Sequence, residues 1–156
     1  MTTATRRHRR PGEASVDASA IVPIEELTLL ATWHPNVMMT GPADAIQLAI
    51  NGLRPIFRIP VCEWQAGRPL ADLTIGKART LILNDVSALT GDDQRVLQSW
   101  LECGAPALQV VTTSTVPLLP RVATGQFDAA LYYALNVIYL DLFEPARPGF
   151  VGSMHD

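Results

Sequence analysis

Residues 80–86 read Thr-Leu-Ile-Leu-Asn-Asp-Val. Leu81, Ile82 and Leu83 follow one another with no polar alternation and then stop at Asn84-Asp85. That is the pattern of a short strand buried on both faces of a parallel sheet. Such a strand needs a layer of structure on each side, which points to a three-layer α/β domain. Ligands of open α/β sheets bind at the carboxyl ends of the strands. Asn84 and Asp85 are therefore the first candidate site residues.

The flanking sequence supplies the other layers. Residues 23–30 begin with proline and carry two acids, which suits the start of a short helix. Residues 37–40 (Val-Met-Met-Thr) read as a buried strand ending at Gly41-Pro42. Residues 43–53 then place Ile46, Leu48, Ala49, Ile50 and Leu53 at helical spacing, with Pro42 suited to the first helical position and Gly52 near the stop. Pro55 and Pro60 confine residues 56–62 to an edge strand. Residues 63–76 form a polar connector with no period. Thr90-Gly91-Asp92-Asp93 opens a helix whose apolar residues are Val96, Leu97, Trp100 and Leu101, with Gly104 at its end. A β-branched strand is expected at 107–113, a turn or short helix at 117–120, a helix over 126–135 and a last strand at 136–140. Five strands near 37–40, 57–62, 80–84, 107–113 and 137–141 predict a mostly parallel sheet. The strands at 37–40, 81–84 and 108–113 should be central.

Length and composition set the outer bounds. The 156 residues suit one domain, and 48% hydrophobic with 17% charged residues is lean enough in charge to leave an apolar surface for a partner. The net charge of −3 gives no general attraction to nucleic acid, but Arg6, Arg7, Arg9 and Arg10 with His8 form a basic cluster. That run is either a solvated tail or a contact for phosphates. Cys62 and Cys103 read as buried free thiols of a reducing cytoplasm. No apolar run approaches the ~20 residues of a membrane span, and the arginine-rich start is not followed by the apolar core of a secretory signal. His8, His34 and His155 lack metal-ligand spacing, and neither Ser87 nor Ser114 sits in a nucleophile elbow. The expected organisation is a tail over 1–20, a core over 21–145 and a second tail over 146–156.

The order of motifs resembles the ATPase core of bacterial sigma-54 enhancer-binding activators, a branch of the AAA+ family. Thr80-Leu81-Ile82-Leu83-Asn84-Asp85-Val86-Ser87-Ala88-Leu89 is similar to the family's second motif, with Gln94 and Leu97 in the helix behind it. Val110-Val111-Thr112-Thr113-Ser114-Thr115 resembles its sensor strand. Gln126-Phe127-Asp128-Ala129-Ala130-Leu131-Tyr132-Tyr133-Ala134-Leu135-Asn136-Val137 resembles its arginine-containing segment. The resemblance implies a P-loop NTPase-like core, and the stretch over 37–50 sits where the phosphate-binding motif belongs.

Departures from the family fall mainly on its catalytic positions. A P-loop needs G-x-x-x-x-G-K-[ST]. From Gly41 onward this chain has Ile46, Gln47 and Leu48 where glycine, lysine and hydroxyl belong, and Asp44 adds a carboxylate. Asn84 stands for the magnesium-side aspartate, Asp85 for the glutamate and Thr115 for the sensor asparagine. Gln126, Asp128 and Ala134 occupy the arginines' surroundings, and Arg121 nearby reads as an ordinary surface arginine. Set against the family, the interval 63–79 has no sigma-54-contacting loop, and a core without a helical lid domain or DNA-binding motif is the expectation past Leu142. The resemblance therefore implies a core without ATPase activity, cofactor or metal. It would act through a protein partner or self-association at Ala129, Ala130, Tyr133 and Ala134. Residual ATP binding at Gly41 and Asp85, as a sensor or very slow ATPase, is one alternative. Nucleic-acid contact through the N-terminal arginines is another.

Overall fold

The computed structural model describes residues 22–103 and 108–143. Along them run α1 (Ile24–Trp33), β1 (Val37–Thr40), α2 (Ala43–Leu53), β2 (Val61–Trp64) and β3 (Thr80–Leu83). There follow α3 (Gly91–Glu102), β4 (Gln109–Ser114), α4 (Leu119–Ala123), α5 (Ala129–Leu135) and β5 (Ile138–Asp141). The strands form one five-stranded sheet in the order β2-β3-β4-β1-β5. Every neighbouring pair is parallel. As expected, β3, β4 and β1 are central, and the strand preceding Thr80 lies at an edge.

The unbroken apolar run of β3 is explained by its two neighbouring layers. Leu81 and Leu83 face one core with Met38, Val110, Leu97, Leu131 and Leu135. Ile82 faces the other with Val37, Met39, Val111, Leu30, Ile50 and Leu53. All three β3 leucine and isoleucine side chains are fully buried, and each contributes about 1.5–3 kcal/mol through that burial. On β5 only alternate residues are buried, so one face of this strand is left to solvent.

Helix α3 starts in a capping box. Asp93 N–H donates to Thr90 Oγ1 at 3.1 Å, and Thr90 N–H donates to Asp93 Oδ2 at 3.0 Å. The second Asp93 oxygen accepts the Leu70 N–H at 2.9 Å, which ties the connector after β2 to α3.

Several expectations need correction. The edge strand is Val61–Trp64 and not 57–62, because Arg54–Ile56 continues α2 as a 3₁₀ turn and Phe57 is buried in the core. The supposed featureless connector begins inside β2, with Trp64 buried, and its Leu70 is fully buried at the start of another 3₁₀ turn. Pro42 is the residue before α2 and not its first helical residue; its backbone is extended. The helix expected over 126–135 begins only at Ala129, because Asp128 caps it by accepting the Leu131 N–H at 2.8 Å. Phe127 just ahead is buried in the core. Cys103 is exposed at the end of α3 and Cys62 is half-buried, so neither is the buried thiol expected. Gly104 and Ala107 lie outside the described residues, as do the N-terminal arginines.

Candidate functional site

The carboxyl ends of β1, β3 and β4 come together, since Thr40 is in register with Ser114 and Leu83 with Thr112. Four of the predicted positions, Gly41, Asn84, Asp85 and Thr115, follow directly on these ends. Asp44 lies in the first turn of α2.

Gly41 and Pro42 alone connect β1 to α2. Gly41 N–H donates to Ser114 O at 3.1 Å, and Leu142 N–H donates to Thr40 O at 2.7 Å. Leu142 lies so close that a Cβ on residue 41 would stand 2.6 Å from its Cβ and 3.0 Å from its carbonyl carbon. Glycine is thus required by a neighbouring strand end. At the helix start, Asp44 Oδ1 accepts the Ala45 N–H at 2.9 Å, and Ile46 N–H donates to Pro42 O at 3.0 Å.

At the end of β3, both the backbone N–H and the side-chain Nδ2 of Asn84 donate to Trp64 O, at 3.1 and 3.2 Å. An aspartate there would set a carboxylate oxygen against that carbonyl, so the amide explains itself by fastening β3 to β2. Asp85 adopts a left-handed backbone, φ 62°, which aspartate tolerates better than most residues. Its N–H donates to Thr113 Oγ1 at 3.0 Å, and its Oδ1 accepts a hydrogen bond from the Ser87 hydroxyl. Arg121 is half-buried, and its Nη1 donates to Ser87 O at 2.7 Å. It is therefore a strut across the site's rim and not the ordinary surface arginine expected. Thr115 is exposed.

The second predicted group sits apart from these strand ends. Ala129, Ala130, Tyr133 and Ala134 all face solvent from one side of α5, while Leu131, Tyr132 and Leu135 are buried on the other. Tyr132 and Tyr133 divide the two roles that a tyrosine pair can play. Tyr132 joins the core, and its burial, followed by the nearness of Tyr139, raises its phenol above the ordinary range. Tyr133 is 67% exposed and meets the Tyr132 ring edge-on at 5.3 Å.

Sequence reasoning missed Leu142, Thr113 and Ser87 as parts of this rim, since each acts through a neighbour in space. The role of Gln94 was also hidden. Its Nε2 donates to Gln126 O at 3.0 Å and its Oε1 accepts the Asp128 N–H at 2.8 Å, which sets the entry to α5. A cleft of about 310 Å³ beside the end of β2 is lined by Trp64, Gln65, Arg68 and Asp72, among others. Among the described residues no cluster of three or more His, Cys, Asp or Glu is placed to hold a metal ion, and no helix is long and apolar enough to cross a membrane.

Solved structures with this architecture include NtrX from Brucella abortus in complex with ADP. It matches with a TM-score of 0.56 at 15% identity, over 76% of this chain and 34% of its own. NtrX in complex with ATP gives the same values. The P-loop NTPase domain of the sigma-54 transport activator from E. coli matches with a TM-score of 0.51 at 18% identity, over 75% of this chain and 89% of that one. The chain thus spans about a third of the length of the NtrX chains. These likenesses establish the α/β fold of a P-loop NTPase core. Comparison with curated proteins found no match. The family described as "Sigma-54 interaction domain" matches residues 47–144, well over half of the sequence, and the chain belongs to that family.

Proposed function

We propose that this chain is a sigma-54 interaction domain core that works as a protein-interaction or regulatory module in bacterial transcription, in the cytoplasm, without hydrolysing ATP. The observation that carries the reading is the connection from β1 to α2. A phosphate cradle uses the free backbone amides of a glycine-rich loop of about eight residues, together with a lysine. Here Gly41 gives its N–H to Ser114, Pro42 has none and Ala45 gives its own to Asp44. The Asp44 carboxylate repels a phosphate by roughly 1 kcal/mol at ~4 Å in water, and by several in a cleft. Asn84 brings no charge for magnesium, and the hydroxyl of Ser87 and amide of Thr113's partner Asp85 are engaged within the rim.

Contact with a partner is assigned to the outer face of α5. The small residues Ala129, Ala130 and Ala134 stand around the positions where the family carries arginine, and the loss of charge there lowers the desolvation cost of a protein contact, while Tyr133 supplies an exposed aromatic anchor. Ala134→Arg is the test. The position is exposed, so the variant should keep its circular dichroism spectrum while losing association by light scattering and pull-down. A folded variant with the wild-type association profile would remove this face from the account.

A second reading, ATP binding as a sensor or very slow ATPase, draws on NtrX having been solved with ADP and with ATP. It requires Asp85 to leave its contacts with Ser87 and Thr113. Nucleic-acid contact by Arg6, Arg7, Arg9 and Arg10 rests on residues outside those described.

A further inference from the structure

Strand β5 is an edge of the sheet, and among the described residues only β1 pairs with it. Its inward groups are used: Ile138 N–H donates to Asn36 O at 3.1 Å and Leu142 N–H to Thr40 O at 2.7 Å. Backbone groups alternate along a ladder, so those of Tyr139 and Asp141 face away from the sheet. Proteins guard such edges with lysine, proline, a bulge or a covering element. This edge instead shows Val137 at 61%, Tyr139 at 42% and Phe143 at 44% exposure, with Asp141 as the one charge among its described residues. Tyr139 is already ordered, because its hydroxyl and Thr40 Oγ1 share a hydrogen bond of 2.5 Å. Helix α5 is held at the foot of β1 by Asn36 Nδ2 donating to Ala134 O at 3.0 Å.

We propose that a second copy of this chain adds to the edge, β5 against β5, antiparallel about a twofold axis at Tyr139, to give one sheet continuous across a dimer. The inference deepens the protein-interaction reading by naming the partner, but it stands on the strand edge and not on the alanines of α5. Charge selects the pairing. Centred on Tyr139, the pair sets Val137 of each copy opposite Asp141 of the other. The two Asp141 residues then lie about 13 Å apart along the strand, beyond the Debye length of about 8 Å at physiological salt. Centring on Asp141 would set the two carboxylates face to face. The opposite edge of the sheet, β2, is a poor mate for this apolar strand. It carries the exposed Glu63–Arg54 ion pair, and Pro60 stands at its start. Edge-to-same-edge pairing closes as a dimer, whereas β5 against β2 would propagate. The contact belongs to the small class of interfaces, below about 1,200 Å² in total, so it forms in a concentration-dependent way.

The test uses the full chain. Its mass is followed by sedimentation from ~1 to ~300 μM, a span that brackets weak association, with amide hydrogen exchange at both ends. The expected result is a rise from monomer to dimer, with exchange at the Tyr139 and Asp141 amides slowing at least ~10-fold, since only a partner strand covers outward N–H groups. Tyr139→Pro removes one of those donors, and Val137→Glu sets a like charge opposite the other copy's Asp141 should the proline variant fail to fold. Each folded variant should remain monomeric. A wild type that stays monomeric throughout overturns the proposal, as does a dimer that leaves these two amides unprotected or a Val137→Glu variant that still dimerises as tightly as wild type. Association abolished by Ala134→Arg with no protection of residues 139 and 141 would overturn the edge and leave the α5 reading standing. An Ala134→Arg dimer that still protects them would do the reverse.

Discussion

Asp93 is a buried carboxylate that joins two parts of the fold, and its removal is a sharp test of how the fold is held. The residue is only 6% exposed. One carboxylate oxygen accepts the N–H of fully buried Leu70 at 2.9 Å, and the other accepts the N–H of Thr90 at 3.0 Å. Asp93→Ala orphans both donors and breaks the capping box. A buried unsatisfied donor costs about 1–3 kcal/mol, and a lost cap about 1 kcal/mol. Water reaches Thr90, which is exposed, so the full penalty applies to Leu70 alone and the sum is about 3 kcal/mol. That is a large share of the roughly 5–15 kcal/mol that holds a domain folded. In urea, at a slope of about 1.5 kcal/mol per molar, the midpoint should fall by about 2 M.

The same carboxylate fixes the sign of a pH effect. Burial alone would raise its pKa, but the backbone N–H groups of Leu70 and Thr90, with the Thr90 hydroxyl, hold it below its ordinary value. A carboxylate with a depressed folded pKa adds stability above its unfolded pKa of about 3.9, and that stability is lost as pH falls through the folded pKa. The difference between wild type and Asp93→Asn should therefore be full at neutral pH and shrink in strong acid. A midpoint change under about 0.5 M for Asp93→Ala, or a gap that stays constant into acid, would refute the reasoning.

Two further outcomes are expected. Gly41→Ala places a Cβ 2.6 Å from Leu142 Cβ, and this overpacking should cost about 1–3 kcal/mol, read as a lowered Tm. An unchanged Tm would mean that the two strand ends separate freely. His34 ends α1 in a left-handed conformation, and burial, then the charge of Arg58, lowers its pKa. The stability tied to its neutral form is present above the ordinary value of 6.5 and lost as pH falls through the folded pKa. His34→Asn, which keeps a left-handed-tolerant residue, should flatten stability between neutral and mildly acid pH.

The central strands were legible because burial on both faces erases alternation, and β3 has no solvent side to interrupt it. Edge strand β2 was placed correctly but read too early, since the apolar residues before it serve a turn and a core contact. Leu70 escaped notice because a single buried residue in a loop has no period. On α5 the helical spacing was visible, but spacing alone leaves open whether small residues face in or out, and all three alanines turned outward. Gly41, Asn84 and Asp85 could be picked out by position. Their local reasons could not, because Leu142, Trp64 and Thr113 reach them from other strands or their ends. Arg121 looked ordinary for the same reason, since its role depends on the Ser87 carbonyl beyond β3.

The central claim is that the strand ends around Gly41 and Asp85 do not hold a nucleotide, and calorimetric titration with Mg-ATP tests it most directly. The account predicts no binding tighter than about 1 mM, a free energy no stronger than about −4 kcal/mol, and no rise in Tm at saturating nucleotide. Micromolar binding that Asp85→Ala abolishes would contradict it.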